Sequence, residues 1–382
     1  MGKLQVVTNV ACRLLLFQRI EPDGGKPRIF LQTVAHAGQE PLTLFYTASG
    51  LECRFTGSEL WLELAADYEL FEPWISVELN GAWISRFPVN RGQSEICLFR
   101  GMTPGPAKHV RVLKDVQAMR DDPRHLLQIT GLRHEGGAFV PLPAPRLRLE
   151  FVGDSITSGE GAIGAVEEQD WIPAFFSAEN HYGRMTADAL GAEYRIVSQS
   201  GWGVCTGWDN DPRHAIPPLY RQICGAADGP RNEALGAGRP YDFSGWPADA
   251  VIVNLGTNDA NALRNPPWRD PADGSLHPCP GLQELERCAA EFLETLRACN
   301  PGALLVWAYG MLGSSAQDGG VQQALESAVA RYCAASGDCR ARFLLLPDTA
   351  PGTFGARSHP GAASHRRAAE TLTAFLQQEL AL

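Results

Sequence analysis

Residues 146–157 read RLRLEFVGDSIT, an apolar strand that ends in a Gly-Asp-Ser turn. Downstream of this stretch, apolar strand-like segments alternate with longer stretches of helical spacing. The strand-like segments lie at 193–199, 250–256, 303–310 and 342–347, and the helical ones at 184–190, 281–298, 321–335 and 362–380. Strands that alternate with helices predict a parallel sheet with helices on both faces. The second part of the chain is therefore predicted to be a three-layer α/β domain.

The part of the chain before this stretch has a different pattern. Its short apolar segments are separated by Gly, Asn and Pro, and several alternate apolar and polar residues, as in ELWLEL at 59–64. Many short strands at near-regular spacing predict an all-β sandwich of the jelly-roll type. The run VPLPAP at 140–145 interrupts this pattern. We therefore expect an N-terminal β-sandwich domain over 1–144 and an α/β domain over 145–382.

Composition excludes several classes of partner. Asp and Glu number 43 against 33 Lys and Arg, so the net charge is -10. A chain of this charge repels a phosphate backbone, and we expect neither a nucleic-acid partner nor an anionic membrane partner. No run of about eighteen or more apolar residues occurs, so no transmembrane helix is predicted.

The cysteines and the first residues bear on the cellular compartment. The ten cysteines are scattered and form no C-x-x-C pair. The first twenty residues lack a long apolar stretch followed by a small-residue cleavage site, and they show no export signal. We therefore predict a cytoplasmic protein whose cysteines are buried free thiols.

Polar clusters follow three of the predicted strands, and a fourth cluster precedes the last helix. They are Gly153-Asp154-Ser155, Ser200-Gly201-Trp202, Thr257-Asn258-Asp259 and Ser358-His359-Pro360. A doubly wound sheet assembles its site at the carboxyl ends of its strands. Together the clusters supply a hydroxyl, a backbone donor, a side-chain amide and an imidazole, which is the set that acyl transfer requires.

In that chemistry Ser155 is the predicted nucleophile and His359 its general base. The oxyanion is predicted to be held by the backbone N–H groups of Ser155 and Gly201 and by the side-chain amide of Asn258. Asp259 is expected to have a structural role, and His365 is expected on the surface of the last helix.

The blocks around Ser155, Gly201, Asn258 and His359 resemble those of the SGNH (GDSL-like) hydrolases. The whole chain is similar to carbohydrate esterase family 2, whose members join an N-terminal jelly roll to an SGNH domain of flavodoxin-like fold and deacetylate polysaccharides. The resemblance implies an acetylated oligosaccharide as the substrate. It also implies the roles given above for these four residues.

One position departs from the superfamily pattern. Most SGNH enzymes have an Asp three residues before the His, and this chain has Ala356 there. Family members without that Asp work with a Ser-His dyad, in which a backbone carbonyl orients the imidazole. We predict that a carbonyl of the loop 354–358 accepts the Nδ1–H of His359, and Asp348 is the alternative acceptor.

Two further patterns concern ligands. Trp202 and Trp208 are predicted to face a sugar, whereas Trp307 lies inside an apolar strand and is expected in the core. Residues 159–164 match G-x-G-x-x-G but stand beyond the strand end, so we predict no nicotinamide site. The sequence shows no metal-binding or nucleotide-binding motif, and neither a metal nor a cofactor is predicted.

The leading hypothesis is a serine esterase that removes O-acetyl groups from oligosaccharides or polysaccharides. Two alternatives stay open. One is a lipid- or thioester-type hydrolase of the same superfamily, for which a continuous apolar channel would be needed. The other is a non-catalytic carbohydrate-binding protein on the same fold.

Overall fold

The computed structural model describes residues 41–312 and 318–382, together with the backbone of residues 28–30. The expectation about an export signal falls on the first twenty residues, which lie outside the described part. The described residues form two compact units. The first contains the residues up to Pro145 with Ile172–Ala174 and Gln222–Arg239, and the second contains the others.

The part of the first unit up to Pro145 is an all-β sandwich. Its strands are β1 (Arg28–Phe30), β2 (Leu42–Thr43), β3 (Gly50–Phe55), β4 (Leu60–Asp67), β5 (Trp74–Leu79), β6 (Ala82–Pro88), β7 (Gly92–Phe99), β8 (Lys108–Lys114), β9 (Leu126–Arg133) and β10 (Phe139–Val140). One sheet has the order β1-β3-β8-β5-β6, with β10 also paired to β3, and the other has the order β2-β9-β4-β7. Every strand pair in both sheets is antiparallel.

The alternation read from the sequence builds the core of this sandwich. Strand β4 buries every second residue, and its Leu60, Leu62 and Leu64 lie in the apolar cluster that also contains Phe55 and Val110. Alternate side chains of a strand point to opposite faces, so one face fills the core while the other meets solvent. The predicted jelly-roll-type sandwich is confirmed.

The second unit is built on a parallel five-stranded sheet. The strands of this part of the chain are β11 (Leu147–Gly153), β12 (Ala192–Ser198), β13 (Ala250–Asn254), β14 (Trp268–Arg269), β15 (Leu276–His277), β16 (Leu304–Gly310) and β17 (Ala341–Leu346). The sheet has the order β12-β11-β13-β16-β17, and β14 pairs with β15 in a separate hairpin. This is the flavodoxin-like order of a doubly wound sheet.

Helices connect the strands of the sheet. They are α1 (Ser155–Ser158), α2 (Tyr182–Leu190), α3 (Pro230–Ala234), α4 (Thr257–Ala262), α5 (Leu282–Cys299), α6 (Val321–Ser336) and α7 (Ala362–Glu379), and α3 lies in the segment that groups with the first unit. Short 3-10 turns lie at Pro173–Phe175, Pro217–Leu219, Phe243–Gly245 and Ala356–Ser358.

Burial explains why the central strands read as continuous apolar runs. Every residue of β13 and of β16 is buried, as expected where helices cover both faces of a parallel sheet. Helix α5 turns one stripe toward the sheet, with Leu285, Phe292 and Leu296 buried. The predicted three-layer α/β fold is confirmed.

Nine cysteines lie in the described residues, and all nine are free thiols. Cys53 and Cys224 are buried as predicted, and five others are only partly buried. Cys97 and Cys339 are exposed, so the prediction of burial is wrong for those two. Within 41–312 and 318–382, no helix has the length and apolar character that crossing a bilayer requires.

Candidate active site

The turn after β11 presents Ser155 at the first position of helix α1. Asp154 caps this helix, and its Oδ1 accepts a hydrogen bond of 3.0 Å from the N–H of Ile156. Gly153 has no room for a side chain, because a Cβ there would lie 2.1 Å from Oγ1 of Thr157. This close packing fixes the turn and places Ser155 at the carboxyl end of the strand.

Ser155 contacts His359, which lies 204 positions later in the sequence. Nε2 of the imidazole is 2.9 Å from Oγ of the serine, within the reach that a nucleophile and its base require. His359 belongs to the segment 354–361, called the histidine loop below, which connects β17 to α7. Its side chain is 16% exposed, so the imidazole is largely shielded from water but still accessible.

The other ring nitrogen of His359 is held by the backbone. Nδ1 lies 2.9 Å from the carbonyl oxygen of Arg357, inside the segment 354–358 where a carbonyl acceptor was predicted. Arg357 has φ +56° and ψ +32°, a left-handed conformation that non-glycine residues seldom adopt. Since both ring nitrogens have partners, Asp348 does not occupy the position of a third triad member in this structure.

A second loop, residues 201–208, follows β12 and is called the tryptophan loop below. Gly201 has φ +80°, which favours glycine. The buried carboxylate of Asp259 fixes this loop, because it accepts hydrogen bonds of 2.9 Å from the N–H groups of Val204 and Cys205. Burial raises the pKa of Asp259 despite these donors. The structural role expected for Asp259 agrees with these contacts.

Asn258 lies at the start of α4, next to the nucleophile turn. Its Nδ2 donates to Oδ2 of Asp154 at 3.1 Å and to the carbonyl oxygen of Trp202 at 2.9 Å. Burial raises the pKa of Asp154 to about 7, and the nearby carboxylates of Asp259 and Glu160 add to this rise. The Asn258 amide is therefore tied to both the nucleophile turn and the tryptophan loop. To serve an oxyanion, it must share or give up one of these bonds.

The two tryptophans of the tryptophan loop have different surroundings. Trp202 is only 3% exposed and stacks on His214 at a centroid distance of 5.3 Å, so its burial argues against the predicted sugar contact. Trp208 is 53% exposed, and its ring lies against Gly201, where a Cβ would come within 3.1 Å of it. Trp208 therefore remains the candidate sugar platform, and Trp307 is fully buried as expected.

The prediction that His365 lies on the surface of α7 is wrong. The residue is fully buried, and its Nδ1 accepts a hydrogen bond of 3.2 Å from the N–H of Tyr182. Burial lowers its pKa to about 3, with a smaller contribution from His359. His365 is therefore a neutral core residue.

With the geometry in place, comparison with known proteins identifies the family. Residues 151–367 match the GDSL-like Lipase/Acylhydrolase family, and this match covers more than half of the chain. The chain belongs to the GDSL-like lipase/acylhydrolase family. The resemblance drawn from its four sequence blocks is thus confirmed.

Individual relatives of this GDSL-like hydrolase cover both units. The structure of an acetyl xylan esterase (Est2A) from the rumen bacterium Butyrivibrio proteoclasticus is 40% identical, with a TM-score of 0.89, over 94% of this chain and 96% of that one. A family two carbohydrate esterase from Clostridium thermocellum, 23% identical, has the same fold, with a TM-score of 0.78 over 93% of this chain and 99% of that one.

A curated relative is larger than this chain. Cellulase/esterase CelE from Acetivibrio thermocellus is 25% identical over 337 residues, which make up 88% of this chain. The chain spans only 37% of the length of that relative.

The structure of this GDSL-like hydrolase also shows two residues of the site, Glu160 and Arg357, that the sequence did not point to. Glu160 is 3% exposed, and its Oε1 lies 3.0 Å from Nε of Arg357 and 3.7 Å from Nε2 of His359. The glycine-rich stretch 159–164, considered only as a nucleotide motif, carries Glu160. Its density of glycines was a signal for close backbone packing.

Proposed function

We propose that this GDSL-like hydrolase is a serine esterase that removes O-acetyl groups from oligosaccharides or polysaccharides. The observation that carries the proposal is the contact of 2.9 Å between Ser155 Oγ and His359 Nε2. Its imidazole is oriented by a carbonyl at Nδ1, as a general base requires. The 40% identity to a protein described as an acetyl xylan esterase, over 94% of this chain, supports the acetyl and carbohydrate parts of the proposal.

The proposed reaction has two halves. Ser155 Oγ attacks the acetyl carbonyl while its proton passes to Nε2 of His359, and the imidazolium then protonates the departing sugar oxygen. Water next attacks the acetyl-serine, giving one proton to Nε2, and acetic acid leaves as that proton passes to Ser155; the acid then loses its own proton to the solvent. Neutral imidazole is needed at the start of each half, and the carbonyl of Arg357 keeps the proton of the free base on Nδ1.

The oxyanion of each tetrahedral intermediate is proposed to meet the N–H groups of Ser155 and Gly201 and the amide of Asn258. These residues follow three strands that are neighbours in the sheet, with β11 between β12 and β13, so their donors share one edge. A donor that is available to the oxyanion typically lowers the barrier by about 2.7–4 kcal/mol, and the Asn258 amide must first share or give up one of its bonds.

The proposed sugar platform is Trp208. Its indole is 53% exposed and sits against Gly201, next to the proposed oxyanion donors. An exposed aromatic face beside the acyl site suits a pyranose ring, which has apolar C–H groups to bury.

The proposal is tested by acetate release from acetylated xylan and glucomannan oligosaccharides. The wild-type protein should release acetate, and Ser155→Ala should lower turnover by up to about a millionfold. Ser275→Ala is the matched control, because the exposed Ser275 also contacts a histidine, with 3.0 Å between its Oγ and Nε2 of His277.

Each other outcome rejects a defined part of the proposal. If Ser155→Ala kept a tenth of the activity, Ser155 would not be the nucleophile. Hydrolysis of long-chain acyl esters in preference to acetylated sugars would favour the lipid-type alternative. Sugar binding without any release of acetate or p-nitrophenol would favour a binding protein.

A further inference from the structure

The loop 159–164 lies directly against the histidine loop. Gly161 has φ +65°, and a Cβ on it would lie 2.3 Å from the carbonyl oxygen of Ala356 and 2.7 Å from Cβ of His359. From the other side, a Cβ on Gly355 would lie 1.8 Å from the carbonyl oxygen of Gly161. The two backbones therefore touch at a place that only glycine permits.

This close approach delivers Glu160 to the buried side of the dyad. The N–H of Glu160 donates to the carbonyl oxygen of Ser155 at 3.0 Å, which ties the residue to the nucleophile turn. Its carboxylate forms an ion pair of 3.0 Å with Nε of Arg357 and lies 3.7 Å from Nε2 of His359. Glu160 thus faces the nitrogen that becomes charged when Ser155 gives up its proton.

Arg357 needs such an anchor because its backbone is strained. A non-glycine residue in the left-handed region costs of order 1–3 kcal/mol and persists only where the surroundings hold it. The N–H of Arg357 donates to the carbonyl of Glu168 at 2.7 Å, and its guanidinium donates to the carbonyl of Gln169 at 2.9 Å and to Glu160. These bonds aim the carbonyl of Arg357 at Nδ1 of His359.

We propose that Glu160 is a positioning residue of the dyad, which replaces the missing triad carboxylate in two ways. Through Arg357 it fixes the carbonyl that orients His359, and through its own charge it supports the imidazolium. The inference rests on the proposed function, since it concerns the same base in the same reaction.

The charges around His359 set the sign of the expected effect. Glu160 favours the imidazolium and Arg357 opposes it, while His365 is buried and neutral and Ser155 carries no charge. Asp154 faces Glu160 from the nucleophile turn. An opposite charge within about 4–6 Å favours the charged form of its neighbour by about 1–3 pH units, and Arg357 offsets part of this. Loss of the carboxylate charge should therefore weaken the support that the imidazolium receives.

The test compares pH profiles of kcat/KM for acetate release by the wild type and Glu160→Gln, which keeps the shape and removes the charge. We expect the acid limb to move to lower pH. We also expect kcat to fall about tenfold, because the imidazolium that forms during the reaction loses a neighbouring negative charge. Glu167→Gln is the matched control, because Glu167 is an exposed glutamate seven positions later.

A second variant reverses the sign. Arg357→Gln leaves the carboxylate uncompensated, and the acid limb should move to higher pH. Both shifts should also appear in an NMR titration of the His359 imidazole, a readout that needs no catalysis and separates this inference from the esterase assignment. If neither variant moves the limb or the titration, or if Glu167→Gln moves them equally, Glu160 does not act on His359.

Discussion

The tryptophan loop is proposed to bring a hydrogen-bond donor to the site of Ser155, and the histidine loop is proposed to bring a base. Each loop is fixed by a buried carboxylate from another segment. Asp259 holds the tryptophan loop through neutral backbone N–H groups, whereas Glu160 holds the histidine loop through the guanidinium of Arg357. The Asp259 carboxylate meets neutral donors of the backbone. The Glu160 carboxylate lies near an imidazole that gains a positive charge in the proposed reaction, and its negative charge favours that form.

The largest effect is expected at the histidine loop. His359→Ala removes the side chain proposed as base and acid of both half-reactions, so turnover on acetyl esters should fall by about ten-thousandfold or more. Acetate release and circular dichroism check this outcome together. A folded variant with activity within tenfold of the wild type would show that the histidine loop does not supply the base.

Asn258→Ala tests the amide that is bonded to the tryptophan loop through the carbonyl oxygen of Trp202. We expect kcat to fall about a hundredfold or more with little change in KM, because the amide is proposed to act on charge that develops in the transition state. The same variant removes the bonds to Asp154 and to Trp202, so its free energy of unfolding is measured alongside. An effect confined to KM would make Asn258 a contact of the bound ground state.

The buried His365 on helix α7 should make the folded protein less stable in acid. Burial lowers the pKa of His365 to about 3, below the ordinary value of 6.5, so as the pH falls the unfolded chain takes up this proton first. Above about pH 6.5 the neutral His365 makes its full contribution to the free energy of unfolding. As the pH falls from there toward 3, this contribution decreases by up to about 1.4 kcal/mol per pH unit.

Urea unfolding of the wild type and His365→Asn at pH 7.5, 6 and 5 measures this loss. The difference in stability between the two proteins should shrink as the pH falls, and it should not shrink for the hairpin variant His277→Asn. A difference that stays constant with pH would mean that His365 is not held neutral in the folded protein.

The smallest effect is expected at Asp348. If the carbonyl of Arg357 orients the imidazole, Asp348→Asn should change kcat by less than about tenfold, far below the loss of about ten-thousandfold in a Ser-His-Asp triad. A thousandfold loss in a variant with unchanged circular dichroism would make Asp348 the third member of a catalytic triad. It would contradict the dyad in which the backbone orients His359.

The sequence predicted which candidate site residues follow strands, and their catalytic roles stay predictions. Ser155, Gly201 and Asn258 come after strands whose apolar character marks the centre of a parallel sheet, and the topology of such a sheet brings strand ends together. His359 was predicted because it precedes the last helix of the same domain, and the structure places its Nε2 2.9 Å from Ser155 Oγ. The carbonyl acceptor within 354–358 was anticipated because Ala356 cannot orient an imidazole.

Contacts between loops could not be predicted from the sequence in this way. Glu160 and Arg357 are 197 positions apart, and no periodic pattern reports that two irregular segments touch. The burial of His365 did have a signal, because Ala368, Ala369, Leu372 and Leu376 continue the same face of α7. Trp202 was assigned by proximity to Gly201, which does not say which way a side chain points.

Covalent labelling of Ser155 is the most direct test of the proposed Ser155–His359 dyad. A fluorophosphonate probe should place a single label on the peptide that contains Ser155, and acetyl esterase activity should fall in proportion to labelling. His359→Ala should remove the labelling and Asp348→Asn should keep it, since only His359 activates the serine in this account. A label on another residue that abolishes activity, or full activity with an unlabelled chain, would contradict the Ser155–His359 dyad.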